Sequence, residues 1–355
     1  MIKNKLMITK YKGVLLIVLQ IIAVRIIYFF PVSIEKNYSN GVYIYISTFL
    51  RYVFGKIPFS IGDVLYIIIL LFIFYALYQI KKNKNNSRLI IYFVVFFYFL
   101  FHFLWGLNYN RLPLSEKMKI KTTYTNHDLL CFTQKMIKNL NNIHIKITKN
   151  DQLKVVNTYN KQQIFAKSIH GYKQLAQEYP YFNYQIPSQK ASIFSIPLTY
   201  MGFAGYLNPF TNEAQVNDNL PNVLIPNVLC HEMAHQIGYA SESECNFIGF
   251  LAGSQNPDLY FQYAAYSQVV KNCLIQIKKK QPSRYSYYKQ QLHAGILINF
   301  KENELFWKKH ESIIDQGFKR FYDQYLKMNQ QKEGIASYSL FLNLLINYDK
   351  NYPIK

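Results

Sequence analysis

Three long apolar runs occupy the first third of the chain. Residues 13–30 are apolar apart from Gln20 and Arg25, and residues 64–80 and 89–107 carry no Asp, Glu, Lys or Arg. A helix crosses a bilayer with about 20 such residues, and no run of that length follows. The pattern predicts a membrane anchor over residues 1–110 with three transmembrane helices at about 13–30, 60–80 and 89–107. Lys3, Lys5, Lys10 and Lys12 ahead of the first run resemble the basic start of a signal peptide. No small-x-small cleavage site follows, because the run ends in "IIYFFPVS", so a retained span is expected.

The cations set the expected orientation. Those four lysines precede the first span, and Lys81, Lys82, Lys84 and Arg88 crowd the short link between the second and third. Both segments should face the cytoplasm, which puts the loop after the first span outside and, with an odd number of spans, everything beyond residue 110 outside as well. The expected protein is multi-pass in the cell membrane, with residues 111–355 forming an extracytoplasmic domain.

In that domain the pattern changes to amphipathic helices. Residues 126–180 read as helices broken by Asn-rich turns and ending at Pro180. "ASIFSIPLTYMGFAGYLNPFTNEAQVND" reads as short strands, being rich in β-branched and aromatic residues with Gly202, Gly205 and Pro209 between them. Helices return from Pro226 to the C-terminus. The predicted fold class is α+β: a mostly helical domain with one small antiparallel sheet.

A formal charge of +21 raises the question of nucleic acid. Twelve of the 40 basic residues and only 2 of the 19 acids fall in residues 1–110, where topology accounts for them. The remaining lysines are scattered, with one run at Lys278–Lys280 and no nucleic-acid-binding motif, and they suit an anionic membrane surface. No nucleic-acid partner is expected. The four cysteines, Cys131, Cys230, Cys245 and Cys273, form no CxxC pair; Cys230 and Cys245 read as small buried apolar residues.

The chemistry is concentrated in "NVLCHEMAHQIGYASESECNFIGF", residues 227–250. Pro226 suits the first turn of a helix and Gly238 the position just past its end, which places His231 and His235 in one helix. A spacing of four puts both imidazoles on one face, within reach of a single tetrahedral ion, with Glu232 on the flank where a general base for metal-bound water stands. Glu242 and Glu244 are both close enough to supply a third ligand but cannot both face the ion. "SESE" ahead of an apolar run has the form of a capping box, with Ser241 as N-cap and Glu244 reaching back to its backbone. That favours Glu242 as ligand over Glu244, and places Asn246 to hydrogen-bond a ligating histidine.

The arrangement of His231, Glu232 and His235, then Glu242 followed by Cys245-Asn246, resembles zinc metallopeptidases of the gluzincin kind. The glutamate four residues before the Asn is the third ligand in that group. The chain departs from it in the short separation of His235 and Glu242 and in Cys245. It also resembles an uncharacterised bacterial family of membrane-anchored zincin-like proteins, through "IPFSIGD", "FLWGLNYNR", "GYLNPFTNEAQVN", "CHEMAHQIGYASESECNF" and "YLKMNQQKEGIASYS".

The expectation is therefore a zincin-like, Zn²⁺-dependent metallopeptidase acting on a peptide or protein substrate associated with the envelope. Glu232 would be the catalytic base and His231, His235 and Glu242 the metal ligands. The alternative is a non-enzymatic metal-binding membrane protein that binds a partner or envelope polymer. Tyr200, Tyr206 and His293 carry groups suited to stabilising an oxyanion, and the "NEAQVND" segment suits an edge strand for an extended peptide.

Overall fold

A computed structural model describes residues 2–329, 331 and 340–354, with side chains from residue 11 onward. Gln330 and residues 332–339, most of the end of the "YLKMNQQKEGIASYS" stretch, lie outside the described residues. The chain is mostly helical, with one three-stranded sheet.

Two helices, Ile61–Lys82 and Lys84–Leu104, are long and apolar enough to cross a membrane. The first apolar run meets that description only together with the segment after it. Its helix stops at Ile27, and the chain bends by 91° into Pro31–Gly55. Pro31 explains the break, because it has no N–H to continue the ladder and pushes Phe30 out of the helical region, to φ −122° and ψ 56°.

The loop expected after the first span is itself helical, a π-helical stretch at Ile34–Val42 leading into Tyr43–Gly55. Its pattern is inverted relative to a soluble helix. Tyr43, Ser47 and Arg51 form a buried stripe four residues apart, while Ile44, Phe49 and Val53 are exposed. Arg51 reaches three acceptors far along the chain: its Nε donates to the Ile186 carbonyl at 2.9 Å, and Nη1 to Asn212 Oδ1 at 2.8 Å and the Gln236 carbonyl at 2.9 Å.

The helix Ile61–Lys82 is tied at its first turn to residues beyond 110. Ser60 caps it, and the Glu213 carboxylate accepts from the Ile61 and Gly62 amides at 3.2 and 2.6 Å, an anion placed where the helix dipole favours one. Buried Asp63 accepts from Ser192 Oγ, the Ile193 amide and the Tyr206 hydroxyl.

Beyond residue 110, Asn126–Thr148 and Lys161–Glu178 both begin with complete capping boxes, Thr125 with Asp128 and Asn160 with Gln163. With Leu259–Lys280 they enclose one core that includes Leu129, Ile164, Phe247 and Phe261. The sheet comprises β1 (Gln189–Ala191), β2 (Gly205–Leu207) and β3 (Ala214–Val216) in the order β1-β3-β2. It is mixed rather than antiparallel: β2 and β3 form an antiparallel hairpin, but β1 runs parallel to β3 after the crossover helix Ser195–Tyr200. "NEAQVND" is consequently not an edge strand. Its residues 214–216 are the buried middle strand, and β2 stands at the edge.

Candidate metal centre

The helix Ile225–Gln236 carries Pro226 in its first turn and ends two residues before Gly238, which takes a φ of +89° that few side chains tolerate. The helix Glu242–Gln255 packs across it. Gly249 lets them approach, since a Cβ there would lie 3.0 Å from the His231 amide nitrogen. This crossing brings Glu242 onto the face that holds His231 and His235.

Nε2 of His231 lies 3.1 Å from Glu242 Oε2, and Nε2 of His235 lies 3.8 Å from Oε1. The opposite ring nitrogens fix which atoms carry protons. His235 Nδ1 is 2.7 Å from the Tyr239 carbonyl, which can only accept, so Nδ1 donates. Asn246 donates Nδ2 to the Glu242 carbonyl at 2.9 Å, which turns its Oδ1 toward His231 Nδ1 at 3.2 Å, and that nitrogen donates as well. Both Nε2 atoms therefore present lone pairs to a carboxylate. Three electron-pair donors facing one another need a cation or an extra proton between them.

The spacing suits a cation. Ligands about 2.1 Å from a tetrahedral zinc lie roughly 3.4 Å apart, a value that the 3.1 and 3.8 Å separations bracket. Ligand atoms of His231, His235 and Glu242 all lie within 4.8 Å of one another, and no other such group occurs among the described residues. Where a proton rather than a cation fills the gap, burial alone would raise the Glu242 carboxyl, but the hydrogen bonds and charge of the imidazoles outweigh it and hold the group well below the usual carboxylate range.

Glu232 stands beside this trio without joining it. It is buried, its Oε2 has no hydrogen-bond partner, and burial pushes its carboxyl up, helped by Glu242 and opposed by the two histidines. It opens onto a cavity of about 370 Å³ also lined by His231, Asn246 and Tyr322. β2 passes directly over it: a Cβ at Gly205 would come within 2.9 Å of Glu232 Oε1. The cavity thus joins a lone-pair cluster, a buried carboxyl with one unpartnered oxygen and an edge strand.

Glu244 points elsewhere. Ser241 occupies the N-cap position of its helix, but the expected capping box is absent: Ser241 Oγ meets Ser243 Oγ, and Glu244 Oε1 accepts instead from the Leu114 amide at 2.6 Å. A buried backbone N–H 130 residues away outcompetes the local partner, because leaving it unsatisfied would cost more than the cap returns. Burial, which outweighs the Leu114 amide and Arg111, raises the Glu244 carboxyl to about 7.

Tyr200, Tyr206 and His293 do not line the cavity. The Tyr206 hydroxyl donates to Asp63, and His293 meets His144. Tyr322 reaches the site instead. It lies on the helix Ile313–Met328, and its hydroxyl donates to Glu242 Oε1. One tyrosine among 32 offered no signal that could have singled it out. All four cysteines are free, and Cys245 donates to the Tyr239 carbonyl beneath His235.

Residues 38–346 match DUF3810, a family described as protein of unknown function. No curated protein and no solved structure matches the chain.

Proposed function

The chain belongs to the DUF3810 family, whose description names no activity, and from its own chemistry we propose that it is a zincin-like, zinc-dependent metallopeptidase anchored in the cell membrane, with its catalytic domain outside the cytoplasm. The observation that carries this reading is the convergence of His231 Nε2, His235 Nε2 and the Glu242 carboxylate, with unpartnered Glu232 Oε2 beside them. His231, His235 and Glu242 would hold the ion. When bound, zinc supplies Lewis acidity, which makes a water nucleophilic near neutral pH and polarises a carbonyl.

The chain's own residues do the rest. Asn246 and the Tyr239 carbonyl hold both imidazoles with Nε2 free, and Tyr322 orients the Glu242 carboxylate. Glu232, in a buried environment that raises its affinity for a proton, takes one from the attacking water and delivers it to the leaving amine. β2 offers an extended substrate a strand edge that passes over Glu232.

The test measures zinc stoichiometry and peptide cleavage on the same preparations. Chelation should abolish cleavage and zinc should restore it. Glu232→Gln should keep full zinc and lose about 10²- to 10⁴-fold in turnover, whereas His231→Ala should lose metal and activity together. Cleavage by Glu232→Gln at the parental rate sinks the hydrolase reading and favours a metal-binding protein without catalysis.

A further inference from the structure

The cavity extends well beyond Glu232. Leu224 and Val228, at the start of the histidine helix, and Phe300 and Trp307 of the helix Ala294–Lys309 all line it. Such walls accept an apolar body. Two polar groups break them, and neither is satisfied within the protein.

Lys271, on the helix Leu259–Lys280, is half-buried in the cavity lining, and among the described residues no carboxylate lies within ion-pairing distance of it. Burial lowers its affinity for a proton, and Glu304 offsets this only in part. Glu304 itself is paired with Lys301 on the surface. The other lysine of the lining, Lys319, already has Asp315 at 2.7 Å. Asn303, one turn from Phe300 and Trp307, is buried with its Oδ1 unpartnered. An amide with a free end can turn about its last torsion and offer either N–H or C=O inward.

A partly desolvated ammonium and an unpaired buried amide in the lining of one cavity are costly unless a ligand completes them, and an anion with oxygen acceptors does so for both. Resting on the peptidase reading above, we infer that this cavity is a substrate subsite for a residue with an apolar body and a carboxylate, held by Lys271 and Asn303. The carboxylate belongs either to the C-terminus of the peptide or to an acidic side chain. The chemistry of recognition is the same in both cases, and the substrates differ.

The experiment reads binding, so that it does not depend on turnover. Full-length Glu232→Gln protein in detergent, loaded with zinc, is titrated into N-terminally labelled short peptides and followed by fluorescence anisotropy. One peptide ends in Phe with a free carboxylate, the second is its amide, and the third is an amide with Glu in place of Phe. A charge-assisted contact of this kind should make a carboxylate form bind about tenfold or more tighter than the Phe amide. Preference for the first peptide identifies a terminal carboxylate, and preference for the third an acidic side chain.

Lys271→Met, which keeps the apolar stem, should abolish the preference, and Lys271→Arg should retain it. Equal binding of all three peptides, a preference that survives Lys271→Met, or no binding at millimolar concentration overturns the subsite. Selective binding to the variant with no cleavage by the parent would overturn the peptidase reading alone.

Discussion

Tyr322 donates its hydroxyl proton to Glu242 Oε1 at 2.6 Å, across 80 residues of sequence. The bond joins two helices that no local pattern relates, and it leaves the carboxylate held from one side by the tyrosine and faced from the other by two imidazoles. An outer partner of a ligating carboxylate sets its orientation, and its loss costs about 10- to 100-fold in metal affinity or activity. Tyr322→Phe keeps the ring against Phe203 and should weaken zinc by about that factor in a competition with a chelator. Parental affinity and parental turnover together would remove Tyr322 from the site.

Glu242→Gln and Glu244→Gln should separate two acids that lie two residues apart. The first leaves two histidines, which should not retain zinc through gel filtration. The second should keep zinc, because Glu244 faces Leu114 rather than the imidazoles.

Glu244 should also leave a signature in the pH dependence of stability. Its carboxyl titrates at about 7 in the folded chain against an ordinary value of 4.5, so between those values the folded state binds more protons than the unfolded one. Stability should fall as pH rises through that window, by an amount on the order of 3 kcal/mol for this group. Glu244→Gln keeps an acceptor for the Leu114 amide and should lack this loss, melting higher than the parent at pH 8 and close to it at pH 4.5. Parallel melting curves across the whole range contradict the assignment.

Arg51 should be a structural joint between the helix Tyr43–Gly55 and the end of the histidine helix. Arg51→Met strands Asn212 Oδ1 and the part-buried Ile186 carbonyl and leaves the Gln236 carbonyl with the Tyr43 hydroxyl alone, and should destabilise the chain by about 2–5 kcal/mol. Thermal unfolding in detergent reads this directly; a change under about 0.5 kcal/mol, ordinary for a surface site, would show that the joint carries no load.

The proposed orientation is open to a reporter that works only outside the cytoplasm. Fused after Arg111 it should be active, and fused at Asn83, within the basic link, it should be silent. The reverse pattern would place the candidate site in the cytoplasm.

Local repetition along the chain was legible without a structure. The uncharged runs that become Ile61–Lys82 and Lys84–Leu104 announce themselves because each residue contributes to the same transfer free energy. Pro226, Gly238 and the spacing of His231 and His235 announce one helix because capping and periodicity act within a few residues. The break at Pro31 belongs to the same class of signal, but it was hidden inside an apolar run that continued to Phe30.

What only the tertiary structure decided depends on partners far away in sequence. Pro31–Gly55 looked like a loop because its buried face is polar and its exposed face apolar, a pattern that makes sense only once residues such as Asn212 stand on one side of it. The sheet became mixed because β1 reached β3 through a crossover, which strand propensity does not specify. Ser241 and Glu244 have the spacing of a capping box, yet the Leu114 amide took the carboxylate, since a buried donor left without an acceptor is heavily penalised. Tyr322 reached Glu242 for the same reason that no motif could have named it: helix packing, not sequence distance, determines which side chains share a desolvated space.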